Sequence, residues 1–577
     1  MTLAPSITDR ETEKTYARLQ DRILDRDQAG AADLTFELMR AGRSTTEILS
    51  ETVRIHAPYT HVPYHQRIDG GFVRFVNNDH SLLSARATLT LQHMMPETLR
   101  DLPLAQTAWY VPSALDIWNQ LLGHMPGHYG RRTYDPAAHP AGPGPPAVHW
   151  EDQEPAALEG PFEEELSRWQ QFVERGEVVA AYRLWLGLWQ LPERREELLA
   201  HSMFAGLMDV QDRMLWNRSY TTGHKSYRQR SLIELGRAIG WENADHVIYA
   251  AIPDLAVGPR WYSSFEAACQ IMAYELEDAR PQSSLGATEE TDTDRRLFAN
   301  TEPVTEPEAE SLIRALMRGE DADYIGELLA LLRAGRSPRS IMDTIQITAS
   351  RVVLETRASH AFSMPQHVVE YTNMVTWFYD QFDHPHRTKL LFVAANFVNQ
   401  AAHWIHGRDS FFTDDGVLNG AQPIKAPEAA ASLSGAQVLQ RLDESLTATD
   451  ADASVAWTQA YLDGGYERDA LVETLAVGAA KQGNDPHNQE IGLCTLQDYG
   501  RTSSPLRDSL LLASARNTAG HIKYGDQFEP YRRFAEAFGI ATDSDSESGE
   551  GADPAEALLD DVESEVVNDV GPGARVR

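Results

Sequence analysis

"LMRAGRSTTEIL", Leu38 to Leu49, returns in the second half of the chain as "LLRAGRSPRSIM", Leu331 to Met342. Both copies run from an apolar helical pattern through Arg-Ala-Gly-Arg-Ser into a fresh amphipathic segment. Gly42 and Gly335 stand where a helix C-cap needs left-handed backbone. Ser44 and Ser337 stand at the N-cap of the next helix, where a hydroxyl oxygen accepts an orphan N–H. Pro338 falls in that helix's first turn, where a missing N–H is harmless. Each stretch therefore predicts helix, tight turn, helix.

The helical period recurs along the chain. "EELLAHSMFAGLMDVQDRML", "HRTKLLFVAANFVNQAAHW" and "RDALVETLAVGAAKQ" carry apolar residues at three- and four-residue spacing. The expected class is all-α. The one strand signal is "GGFVRFVNNDHSLLSARATLTL", which suggests a small β-hairpin around Asn77–Asn78 in the first half.

Further matches suggest an internal duplication. "VPYHQR" around His65 pairs with "MPQHVV" around His367. "GHKSYRQRSLIELG" from Gly223 pairs with "PHNQEIGLCTLQDYG" from Pro486, each a histidine at a helix start followed by an amphipathic pattern. The period is too long for a solenoid, so two similar helical lobes are expected, 1–275 and 311–540. Residues 276–310 are polar and charged and read as a linker. The Pro/Gly density of 134–161 reads as a long loop, a candidate lid. Residues 541–577 are acidic and Ser/Gly-rich and read as a disordered tail.

Composition excludes several functions. Two cysteines, Cys269 and Cys494, rule out a disulfide framework and thiolate-rich zinc or iron–sulfur sites. A net charge of −34 argues against nucleic acid and anionic membranes as partners. With only Lys14, Lys225, Lys389, Lys425, Lys481 and Lys523 as lysines, the surface resembles those of salt-adapted (halophilic) proteins. No apolar run is long enough to span a membrane, and the N-terminus lacks a signal-peptide core, so a cytoplasmic protein is expected. There is no P-loop, dinucleotide fingerprint, G-x-S-x-G or H-E-x-x-H, and no nucleotide cofactor is expected.

Histidine carries the remaining signal. "HAPYTHVPYHQR" holds His56, His61 and His65, but Pro63 separates His61 from a helix that starts near it. The repeat singles out four helix-start histidines, His65, His224, His367 and His487. If the halves pack about a pseudo-two-fold, these would converge on a divalent transition metal, most plausibly iron, between facing helices. His61 and His80 are second-rank candidates, with Asp69, Asp79 and Glu370 as nearby acceptors. Elsewhere, His403 and His406 suit a helix C-terminus, and His384 and His386 flank Pro385 in a turn. Asn396, Asn399 and His403 make a polar stripe that would line a pocket or face solvent. Tyr182, Trp185 and Trp189 read as core.

The helix-start histidine segments, "GHKSYRQRSLIELGRAIGW" above all, resemble the questin oxidase-like proteins. That resemblance implies oxidative chemistry on a small aromatic substrate, at non-haem iron held by several histidines and a carboxylated lysine. It offers His65, His224, His367 and His487 as ligands and Lys225 or Lys481 as the lysine. The leading expectation is thus a metal-dependent oxidoreductase. The alternatives are a non-catalytic helical binding or scaffold protein, with the histidines as capping and core residues, and a metal-free hydrolase or lyase using Asp79 and His80.

Overall fold

The structure, a computed structural model, describes residues 9–60, 80–121, 150–210, 223–256, 262–277, 291–406, 424–483, 486–521 and 526–541. Those residues form 23 α-helices joined by short 3-10 turns, and no strand occurs among them. The all-α class holds. No helix among the described residues is long and apolar enough to cross a membrane.

The two Arg-Ala-Gly-Arg-Ser turns have the same geometry. Gly42 and Gly335 adopt φ of +80° and +81°. In the first turn Gly42 N–H donates to Met39 O and Arg43 N–H to Leu38 O. In the second, Gly335 N–H donates to Leu332 O and Arg336 N–H to Leu331 O. This is the paired bonding of a Schellman cap. Ser44 Oγ then accepts from Glu47 N–H at 3.1 Å. Ser337 holds the N-cap position without a side-chain capping bond, and its own N–H donates to Glu302 O at 2.7 Å. A matched pair of turns does not by itself establish a duplication of the halves.

Two expectations change. The residues before His80 in the expected hairpin lie outside the described set, but its second arm is an α-helix, Ser81–Leu91. Nine of its eleven residues are buried. A segment enclosed on all sides loses the one-faced period that separates helix from strand. The expected linker is helical in its described second half: Asp292–Phe298 forms a helix with a Thr291–Asp294 capping box, and Glu306–Arg318 begins there too. Its charges serve as caps and exposed helix faces. The described end of the Pro/Gly segment, 150–161, lies against the helix Val178–Trp189, with Ala156 N–H donating to Arg183 O at 2.8 Å. Residues 61–79, 122–149 and most of the acidic tail lie outside the described residues.

The apolar core does not divide between the halves. One buried cluster runs from Leu19 through Trp185 and Phe378 to Ala513, and a second joins Phe36 and Ala87 to Leu442, Leu475 and Phe534. At the centre, four helices form a ring: Ser81–Leu91, His224–Ile239, Ser363–Gln381 and Pro486–Arg501. Each packs against the next, and the last closes on the first. Two come from each half of the sequence.

The helix His224–Ile239 shows how strongly this centre is enclosed. Residues His224 to Ile233 are buried without a break, although "HKSYRQR" contains three cationic side chains. Buried charges need partners. Lys225 Nζ lies 2.7 Å from Asp209 Oδ2, and Arg228 Nη1 lies 2.8 Å from Asp254 Oδ2. Arg230 Nε pairs with Glu234 Oε1 at 2.9 Å, and Arg86 of the neighbouring helix pairs with Glu234 Oε2 at 3.0 Å. Gln497 Oε1 accepts from both guanidinium groups, and Arg230 also donates to Asn373. All four ring helices therefore meet in one polar layer.

The ring is set close to its neighbours at Gly206, in the helix Arg195–Leu207. A Cβ there would meet Ser226 N at 2.8 Å and Lys225 C at 2.9 Å, both backbone atoms. Neither helix can yield by rotating a side chain. Gly206→Ala is expected to cost about 1–3 kcal/mol in urea denaturation. Unchanged stability would show that the two helices slide apart freely.

Candidate metal centre

The four ring helices begin at one place. His80 is the N-cap of Ser81–Leu91, His224 is the first residue of its helix, His487 the second of its own, and His367 the fifth of Ser363–Gln381. Six residues further along, Arg86, Arg230 and Asn373 meet again through the layer just described. The four helices thus leave the histidines in the same direction, as a parallel bundle.

His224 Nε2 lies 3.2 Å from His80 Nε2 and 3.3 Å from His367 Nε2. A ring nitrogen of His487 lies within 4.8 Å of those of His80 and His224. The His487 ring centroid stands 4.5 Å from that of His80 and 5.3 Å from that of His367. Three of the imidazoles are buried and that of His487 is partly so. His521, also buried, meets His487 edge to face, with ring centroids 5.9 Å apart.

The spacing is chemically informative. Two imidazole nitrogens bound to one ion at about 2.0–2.1 Å stand about 2.9–3.4 Å apart for coordination angles near 90–110°. Hydrogen bonding alone serves this arrangement poorly. A ring nitrogen is either one donor or one acceptor, yet His224 Nε2 faces two other Nε2 atoms at similar distance. A cation shared by His224, His80 and His487, whose ring nitrogens lie within 4.8 Å of one another, would relieve the contact with His80.

The surroundings set the protonation state. His80 Nδ1 lies 2.7 Å from Glu490 Oε2, and Ser84 Oγ donates to Glu490 Oε1 at 3.0 Å. With Nδ1–H given to the carboxylate, Nε2 of His80 keeps its lone pair toward His224. Metal-binding histidines are oriented by carboxylates in this way. Burial, and then the neighbouring His367 and His80, hold His224 well below the usual imidazole range. It therefore stays neutral, the form a metal requires. Tyr227 Oη donates to His367 O at 2.7 Å and ties the two helices together at the site.

The structure brings together His224, His367 and His487 of the quartet expected from the sequence. His65 and His61 lie outside the described residues, so their placement is not part of this geometry. His80, a second-rank candidate, stands at the centre. Its acceptor is Glu490 in the other half of the chain, while Asp79 lies outside the described residues. The lysines are committed elsewhere. Lys225 holds Asp209, with Leu255 O at 3.4 Å, and Lys481 holds Asp443 at 2.9 Å. Glu490 was not anticipated. The signal that points to it is a repeated His-x-x-Glu, His367 to Glu370 and His487 to Glu490, which puts both groups on one helix face.

Other polar candidates have structural roles. Asn399 Nδ2 donates to Leu316 O and Gly319 O, and His403 Nε2 lies 3.1 Å from Gly319 O. Asn399 and His403 close the C-terminus of the helix Glu306–Arg318, and half-buried Asn396 donates to Tyr324 Oη. His406 Nε2 lies 2.6 Å from Glu355 Oε2. Trp185 and Trp189 stack at 5.0 Å in the core, with Trp185 Nε1 donating to Ser202 Oγ.

His384 and His386 form a second buried histidine group with His201. His384 Nδ1 accepts from His386 N–H, and its Nε2 lies 3.2 Å from His201 Nδ1. Burial, with a smaller push from Arg194, lowers His201 to about 4, and burial and then His201 lower His384 as well. Both are therefore neutral in the fold at pH 7. In the unfolded chain they take up protons as pH falls below about 6.5. The folded chain resists until about pH 4, so stability is full above pH 6.5 and falls across that window. For His201 alone the loss is on the order of 3 kcal/mol across the whole window, of which about 2 kcal/mol falls between pH 6.5 and pH 5. Urea melts at pH 7 and pH 5 should show it, with a smaller difference in His201→Gln. An equal pH dependence in that variant would contradict the assignment.

No family model, curated protein or solved structure matches the chain.

Proposed function

We propose that this chain is a metal-dependent oxidoreductase whose ion is held by the histidines that open the four central helices. The observation that carries the reading is the group His80, His224 and His487, whose ring nitrogens lie within 4.8 Å of one another, with His367 Nε2 3.3 Å from His224 Nε2 and His80 held by Glu490. A scaffold reading, with the histidines as caps and core residues, leaves that convergence without a purpose. Imidazole donors without thiolate suit iron, zinc, copper or nickel. The resemblance to questin oxidase-like proteins favours iron and a small aromatic substrate.

The residues have separable tasks in this reading. His224 is the hub and is kept neutral by burial. Glu490 holds the tautomer of His80, and Ser84 holds Glu490. The Arg86–Glu234–Arg230 layer fixes the relative height of the helices below the site. When bound, iron would supply the redox chemistry that the side chains lack.

The test is dioxygen consumption by protein loaded anaerobically with iron(II), against a panel of phenolic and polycyclic aromatic compounds. Consumption that needs iron and is lost in His224→Ala supports the reading. Tight iron binding with no consumption across the panel removes the oxidoreductase part of it.

A further inference from the structure

Glu370 lies one turn beyond His367 on the same helix, on the face that carries His367 into the cluster. Its side chain has no exposure to solvent, and neither carboxyl oxygen has a hydrogen-bond partner. Leaving such a group unpaired is costly whether it is charged or neutral, and more so when it is charged. Glu490 occupies the matching place on its own helix, three residues after His487, and is fully engaged: one oxygen takes His80 and the other takes Ser84. The two His-x-x-Glu segments thus supply one carboxylate that orients an imidazole and one that orients nothing.

Electrostatics point the same way. Four helix N-termini converge on the histidines, and each adds partial positive charge. Four neutral imidazoles cannot offset a dication placed there. Glu370 sits in the field of Glu490 on one side and of Arg86, Arg230 and Arg228 on the other. Burial, and then Glu490, push its carboxyl well above the usual range. A nearby dication reverses that preference.

We infer that Glu370 is the anionic ligand of the site, turning onto the ion that the histidines hold and completing a mixed imidazole–carboxylate set. This inference rests on the metal reading above. It adds a ligand that the histidine geometry does not require, and it explains why a buried carboxyl is retained with no partner.

The experiment is a titration of metal-free, tag-free protein with cobalt(II), followed by its visible d–d spectrum, for the native chain and for Glu370→Gln. The amide is close to isosteric, so the histidines stay in place. The expected result is a cobalt affinity at least about tenfold weaker in E370Q, as for loss of a charged group at a metal site, with a changed band position and intensity. The metal-free variant should melt at the native temperature or above it, because it no longer buries an unpaired acid. Glu370→Asp, which keeps the charge on a shorter arm, should recover part of the affinity. An E370Q protein with native affinity and native spectrum would overturn the inference and leave the histidine site standing. A variant that loses affinity only together with folded stability would also overturn it, because the role would then be structural. If the native chain binds no cobalt, the metal reading itself fails.

Discussion

His224→Ala should lower bound transition metal from about one equivalent per chain to below about a tenth, the largest single effect expected in this protein. His224 is the imidazole within 3.3 Å of two others, so its loss removes the hub of the set. Of the mutually close group only His80 and His487 then remain, and two imidazoles hold an ion far more weakly than three. The consequence extends to stability, because an ion that binds only the folded chain stabilises it by about 4 kcal/mol when present at a thousand times its dissociation constant. Native protein should therefore melt higher with metal than with chelator, and H224A should melt at one temperature in both. The variant also deletes a buried ring, so its metal-free form should be destabilised by about 2–4 kcal/mol. A variant that still gains melting temperature from metal would show that the ion sits elsewhere.

The second large effect is at Lys225, beside that hub. Lys225→Met should cost about 3–5 kcal/mol in urea denaturation, because Asp209 keeps its buried charge and loses its ammonium partner. The paired variant Lys225→Met/Asp209→Leu should recover most of that loss, since replacing both buried ions by apolar side chains is often neutral. It should also bind metal as the native chain does. The resemblance to questin oxidase-like proteins offered Lys225 as a carboxylated ligand. That role predicts the opposite pattern: metal would be lost in the paired variant even with stability restored.

The sequence announced its helices through caps and period. The glycine at the centre of each Arg-Ala-Gly-Arg-Ser turn required a left-handed residue, and the backbone adopts it at both places. Enclosed segments were harder to read. Ser81–Leu91 is buried on nearly every side, so no polar face declared it a helix. The polar stripe of Asn396, Asn399 and His403 was ambiguous because its partners are Tyr324 Oη, for Asn396, and backbone carbonyls at the end of another helix, for Asn399 and His403, and a sequence does not show which groups lie opposite. At the site, the helix-start position of His224, His367 and His487 was legible from the repeat. His80 was undervalued for two reasons. Its acceptor lies 410 residues away at Glu490, and the adjacent Asp79 drew the reading toward a local pair. The His-x-x-Glu spacing at 367–370, where Glu370 was noted as an acceptor, recurs at 487–490 and would have supplied Glu490 as well.

The central claim is that the four-helix cluster holds an ion. Elemental analysis of tag-free protein, purified without chelator, tests it most directly. About one equivalent of a transition metal per chain is predicted, together with a melting temperature that falls on chelation and returns with the metal. Less than about a tenth of an equivalent of any transition metal, with melting unmoved by chelator, would contradict it.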